Sequence, residues 1–201
     1  MKSWIPLYLG LAGLVLLPLF AAGAPSIPDP RATPPGTILW KFEVEGMGLG
    51  RCLTAPAVSG DTVCFGTDQA WFCAVNRANG RLKWKIRTEG VVGHARPVIT
   101  NKVVCFGTTG LSPEQKEHGI FYAVDLATGR VEWKTVSDGS GFHAQPVAEN
   151  GVVYYGVDDL FLWAVEVRPW RARWIFNTET RDPNASLAVH KLEVPKAPAP
   201  P

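Results

Sequence analysis

The chain repeats itself. "FCAVNRANGRLKWK" at Phe72 to Lys85, "FYAVDLATGRVEWK" at Phe121 to Lys134 and a worn copy, "LWAVEVRPWRARWIF" at Leu162 to Phe176, keep one order with three further anchors. Pro56, Pro97 and Pro146 each open a short apolar stretch, and ten residues later Gly66, Gly107 and Gly156 each close a "VCFG" or "VYYG" stretch. Ala74, Ala123 and Ala164 lie in aromatic-rich stretches, and Trp84, Trp133 and Trp174 each follow their alanine by ten residues. The period is 41 residues, stretched once to 49 by eight extra residues between Gly107 and Ala123, within "TTGLSPEQKEHGI".

Each unit reads as four short strands, A ("PVIT"), B ("KVVCFG"), C ("IFYAVDL") and D ("VEWKTV"), separated by turns. A period near 40 with four strands per unit is that of a propeller blade. Asn150-Gly151 suits a two-residue hairpin that needs positive φ. In "DLATGR", Asp125 can accept hydrogen bonds from nearby turn amides and Gly129 supplies a left-handed conformation at no steric cost; Asn79-Gly80 does the same one unit earlier. Trp84 and Trp133 are expected to pack between blades, where each brings a large apolar area to a seam.

On these residues the chain resembles the pyrroloquinoline-quinone-type propeller repeat, whose Ala-x-Asp, Thr-Gly and Trp pattern is carried by Ala123, Asp125, Thr128, Gly129 and Trp133, and in the first unit by Ala74, Asn76, Asn79, Gly80 and Trp84. The third unit keeps Ala164 and Trp174 but has Glu166, Pro169 and Trp170 where Asp, Thr and Gly belong, so its C–D turn must be rebuilt. The resemblance covers about residues 36 to 180 and implies an all-β fold. It extends to quinone-dependent dehydrogenases, which hold the quinone and calcium, and equally to non-catalytic scaffolds such as the propeller lipoprotein of the outer-membrane barrel-assembly machinery. None of the dehydrogenases' ligand residues can be placed on this sequence, so no cofactor is expected, and pyrroloquinoline quinone enters only through the resemblance.

Three complete four-stranded blades make a partial propeller, since closed rings use about four to eight. "ILWKFEVEG", with Trp40, looks like a strand D ahead of the first blade, and "SLAVHKLEV" after Trp174 could supply an inner strand. Together these flanks would make a composite or incomplete fourth blade. Otherwise the chain is an open arc, the favoured reading, that pairs with a second arc, or is a piece of a longer product. Blades are placed at about 55–90, 96–139 and 145–180 within a propeller domain at 37–194.

"MKSWIPLYLGLAGLVLLPLFAAGAPS" carries Lys2, an apolar run and small residues, the layout of a secretory signal ending near Gly23 or retained as an N-terminal anchor. A Pro-rich linker (24–36) follows, and a Pro/Ala tail (195–201) is expected to be disordered. Export to a periplasmic or extracellular location is implied. Membrane contact follows only if the N-terminal segment is retained. An oxidising compartment would allow the four cysteines to pair. However, Cys64 and Cys105 occupy a position where the third unit has Tyr154, which marks packed strand sites rather than a bridge. A net charge of +2 with scattered lysines and arginines leaves no basic groove for nucleic acid.

Function is sought where the copies differ. Strand direction alternates, so the loops before strand A and between strands B and C share one face. It collects His94 and Arg96 in "GHARP", His143 and Gln145 in "FHAQP", the insertion with Glu114, Glu117 and His118, and Arg51, Cys52, Asp68, Asp158 and Asp159. Imidazoles favour transition metals, but equivalent loops of adjacent blades are expected to stand well apart, so a repeated loop histidine is the simpler reading and no metal is assigned. The candidate partner face is His94, Arg96, His118, His143, Gln145, Asp158 and Asp159. "GMGLG" (Gly46 to Gly50) lacks the spacing of a dinucleotide loop and starts no helix. The sequence thus points to a non-catalytic, exported scaffold with a protein partner, as a homodimer or completed by another chain. The alternatives are a fragment or subunit of a quinone-dependent oxidoreductase, or a truncated propeller product.

Overall fold

The computed structural model describes residues 34–43, 51–52, 54–110, 119–137, 141–157, 160–181 and 191–193. The leader, most of the Pro-rich linker, Gly46 to Gly50, Glu114, Glu117, His118, Asp158, Asp159 and the tail lie outside them. Thirteen strands and no helix are present among the described residues. Blade 1 comprises β1 (Ala57–Ser59), β2 (Thr62–Gly66), β3 (Trp71–Asn76) and β4 (Leu82–Arg87). Blade 2 comprises β5 (Val98–Thr100), β6 (Val103–Gly107), β7 (Ile120–Asp125) and β8 (Val131–Val136). Blade 3 comprises β9 (Val147–Glu149), β10 (Val152–Val157), β11 (Phe161–Val167) and β12 (Trp170–Asn177). Each is an antiparallel meander in chain order, so the chain is an all-β partial propeller.

The ten-residue step from alanine to tryptophan has a structural cause. Ala74, Ala123 and Ala164 lie directly opposite Trp84, Trp133 and Trp174 in the ladder, and a β-bulge follows each pair. A methyl group leaves room for the indole of its cross-strand neighbour to lie along the sheet, and the bulge adds twist at the blade's outer half. Asn150 and Gly151 have φ values of 50° and 80° in the β9–β10 turn, as the hairpin requires.

The core lies between blades. Cys64, Phe72, Ala74 and Trp84 of blade 1 face Val104, Phe106, Tyr122 and Val124 of blade 2. Cys105, Phe121, Ala123 and Trp133 on the other face of blade 2 meet Val153, Tyr155, Trp163 and Val165 of blade 3. Ring stacks cross each seam: Phe72 on Phe106 with centroids 3.7 Å apart, and Phe121 on Tyr155 at 4.0 Å. All four cysteines are free, and burial pushes the thiols of Cys64 and Cys73 up to about 12 and about 11.

One expectation is corrected. The C-terminal strand, β13 (Lys191–Glu193), is not an inner strand; it pairs antiparallel with β8 and makes a fifth, outermost strand on blade 2. The edge of β8 is a row of backbone groups that need partners, and a three-residue segment can supply them where it lies. The N-terminal flank holds no strand in residues 34–43, yet Trp40 takes the place of a seam tryptophan. The flanks therefore lie on different blades rather than pairing as one composite blade.

Candidate functional site

Two kinds of surface emerge from the arc, and the seams that separate its blades explain both. Each seam is fastened by the same atoms. The Nε1–H of Trp40 donates to the Arg77 carbonyl at 2.9 Å, that of Trp84 to Leu126 at 3.0 Å and that of Trp133 to Val167 at 2.9 Å. These three acceptors occupy one position of the repeat, three residues after Ala74, Ala123 and Ala164, where strand C gives way to the C–D turn. Their own N–H groups donate to the A–B turn of the same blade, at Asp61, Lys102 and Gly151. A backbone group thus serves as the socket for each indole.

The turn that holds the socket is built by side chains in blades 1 and 2. Asn76 Oδ1 accepts from the amides of Ala78 and Asn79, and Asp125 Oδ1 from those of Ala127 and Thr128 and from the Thr128 hydroxyl. Gly80 (φ 68°) and Gly129 (φ 75°) lie against the incoming indoles of Trp40 and Trp84, and a Cβ at either would fall within 2.7 Å of ring carbon. Burial raises the Asp125 carboxyl, but the Arg168 guanidinium, Thr128 and two turn amides outweigh it and hold the group at about 2. Arg168 reaches across from blade 3 to Asp125 and Glu132, both at 2.8 Å. Blade 3 rebuilds its turn as expected: Val167 pairs with Trp170 across a two-residue link, Arg168-Pro169, and Trp170 packs against the seam cluster.

On the loop face, backbone bonds tie the blades together. Val91 and Thr109 exchange both N–H···O bonds at 3.0 Å, Thr109 also bridges Gly141, and the amides of Val92 and Phe142 donate to Thr67 and Thr108. Val92 and Phe142 thereby fill the space above Gly66 and Gly107, where an added Cβ would lie 2.2 Å from each of them. His94, Arg96, His143 and Gln145, in the loops that this lattice ties together, are exposed. The expectation that equivalent loops stand well apart is overturned: the His94 and His143 rings are 5.2 Å apart, because the Val91–Thr109–Gly141 bridges draw neighbouring loops together. Arg51 and Asp68 are joined through the Arg51 amide and Asp68 Oδ1 at 2.7 Å, so Asp68 caps a loop.

Sequence reasoning did not find the hub. The inner strands β1, β5 and β9 line an open hollow of ≈ 310 Å³, walled by Pro56, Ala57, Val58, Pro97, Val98, Ile99, Ala148 and one cation, Arg96. Val58 and Val147 are 53% and 63% exposed beside it. The available signal was that each strand A carries apolar residues at both alternating positions although it lies at a sheet edge.

Fold, seams and turns together define an open propeller arc built from the pyrroloquinoline-quinone-type repeat. Residues 31–112 match the family model described as "Outer membrane protein assembly factor BamB". Among solved structures, BamB from Moraxella catarrhalis is similar over 71% of this chain and 44% of its own, with a TM-score of 0.55 and 18% identity. The quinohemoprotein alcohol dehydrogenase from Comamonas testosteroni is similar over 65% and 28%, with a TM-score of 0.54 and 14% identity. A europium-containing methanol dehydrogenase is similar over 61% and 31%, with a TM-score of 0.52 and 15% identity. The chain therefore spans less than half the length of each. No curated protein matches it in sequence.

Proposed function

We propose that the chain is an exported, non-catalytic scaffold that presents its hub and loop face to a protein partner. The observation that carries this reading is the hub itself. Three inner strands, each three residues long, line an open hollow walled by aliphatic side chains and Arg96, its accessible surface more polar than apolar, with Val58 and Val147 exposed at its rim. Exposed inner strands offer backbone donors and acceptors to an extended segment, aliphatic walls take its side chains, and Arg96 favours a carboxylate on it. His94, His143 and Gln145 lie on the adjoining loops and extend the surface. The match to a model described as an outer-membrane assembly factor supports a protein-contact role and an exported, periplasmic setting, with the apolar leader removed or kept as an anchor.

The competing reading, a piece of a quinone-dependent oxidoreductase, rests on the dehydrogenase likenesses in fold. Among the described residues that line the hollow there is one guanidinium and neither a carboxylate nor a side-chain amide. That donor set does not fit calcium, which takes six to eight oxygen ligands, nor does it match the several carboxylates of the quinone. The test is to incubate the purified chain with pyrroloquinoline quinone and calcium and follow both a bound chromophore and dye-linked alcohol oxidation. No chromophore and no turnover are expected; turnover would overturn the scaffold reading. In parallel, an Arg96→Glu, Val147→Asp double variant, with unchanged circular dichroism, is expected to lose the partner captured by the unmodified chain.

A further inference from the structure

The outer face of blade 3 has the outgoing half of a seam. Trp174 stands where Trp84 and Trp133 stand in blades 1 and 2, and those two are 9% and 2% exposed whereas Trp174 is 42% exposed. Gly156 stands where Gly66 and Gly107 stand, and nothing approaches its would-be Cβ within 4 Å. Tyr154, its ring centroid 6.0 Å from that of Trp174, and Leu162, 37% exposed, complete the patch.

The incoming half of a seam is present on the other end. The far face of blade 1 has the socket at the Arg77 carbonyl and Gly80, occupied by Trp40 from the strap at residues 34–43. Phe42 packs edge-on to Phe65; Cys73 and Val75 on that face are fully buried, Val63 and Phe65 are half-buried, and the strap's own Ile38 and Leu39 are 68% and 55% exposed. Charges complete the match. In the seam between blades 1 and 2, Lys134, one residue after its tryptophan, pairs at 2.6 Å with Glu89, five residues after the preceding tryptophan. The same two positions at the ends of the arc are Lys85 on blade 1 and Glu179 beyond Trp174, and both are exposed.

We propose that the outer face of blade 3 docks on blade 1 of a second copy of this chain, with Trp174 replacing the second copy's Trp40 over Gly80 and on the Arg77 carbonyl, and Glu179 pairing with Lys85. Two such contacts join two three-bladed arcs head to tail and close a ring of six blades, within the range of about four to eight that propellers use. The strap then acts as an internal competitor that sets how readily the arcs join. This rests on the arc's ends and is independent of what binds at the hub.

Sedimentation velocity of the purified full chain across the micromolar range tests it. Trp40→Ala is expected to tighten self-association about tenfold, as removal of a competitor worth about 1.4 kcal/mol would. Trp174→Ala is expected to abolish it. Lys85→Glu and Glu179→Lys, both at exposed sites that leave the fold intact, are each expected to weaken it, and the double reversal to restore it. Restoration has no explanation in a purely structural role. A chain that stays monomeric with Trp40→Ala, an unchanged association with Trp174→Ala, or a double reversal no stronger than the single ones would each overturn the proposal.

Discussion

The two faces of blade 3 carry the same repeat positions and differ in what covers them. Toward blade 2, Tyr155, Trp163 and Val165 are stacked and interlocked, and the Val167 carbonyl receives the Trp133 indole. Toward the open side, Trp174, Leu162 and Gly156 have the form of a seam without its complement. A blade is therefore a half-finished object, because a four-stranded sheet with two apolar faces is stable only between neighbours. Most of the apolar burial that stabilises this chain is placed at two seams, and the turn chemistry of Asn76 and Asp125 exists to hold sockets for indoles.

That contrast is easiest to break at the tryptophans. Trp133→Ala removes a buried indole and its hydrogen bond and is expected to destabilise the chain by about 3–5 kcal/mol in denaturant unfolding. Trp174→Ala, the same substitution one blade later, is expected to cost below about 1 kcal/mol at concentrations where the chain is monomeric. Asp125→Asn weakens one socket turn and its link to Arg168, by about 1–2 kcal/mol at neutral pH. Its pH dependence has a definite sign. The folded carboxyl sits at about 2, below the ordinary value near 3.9, so its contribution is complete above about pH 4 and is lost as pH falls toward 2. The variant should lose less stability than the parent across that acid window. A thiol reagent at neutral pH provides the mildest contrast. Burial raises all four thiols, Cys52 included, so accessibility sets the contrast: Cys52, in an exposed loop, should react in the native chain, while the buried Cys64, Cys73 and Cys105 should react only on unfolding.

How much of this was legible depends on whether side chains or backbone carry the information. The blades, the glycine turns and the seam role of Trp84 and Trp133 follow from side-chain spacing, and the structure has them where the spacing put them. The sockets did not show, because Arg77, Leu126 and Val167 share nothing but a carbonyl group at one position. Blade 3 could therefore lose the Asp and Gly of its turn and still receive Trp133. The place of β13 was misjudged because a strand as short as Lys191–Glu193 has no pattern that selects one edge over another. His94 and His143 were expected apart because sequence gives loop positions but not the Val91–Thr109 bridge that pulls the loops together. The hub was missed for a related reason: an exposed Val147 in strand A looks, one residue at a time, like any core valine.

Glycine offers the most direct test of the seam account, since Gly107 and Gly156 hold the same repeat position in β6 and β10 and differ in whether a neighbouring blade's loop lies over them. An alanine at Gly107 would place its Cβ 2.2 Å from Phe142, whereas one at Gly156 meets nothing within 4 Å. Unfolding free energies of Gly107→Ala and Gly156→Ala, measured side by side on the monomer, should show a loss of about 1–3 kcal/mol for the first and within about 0.5 kcal/mol of the parent for the second. Equal losses at the two positions would contradict the claim that stability resides in the seams and that blade 3 ends on an open one.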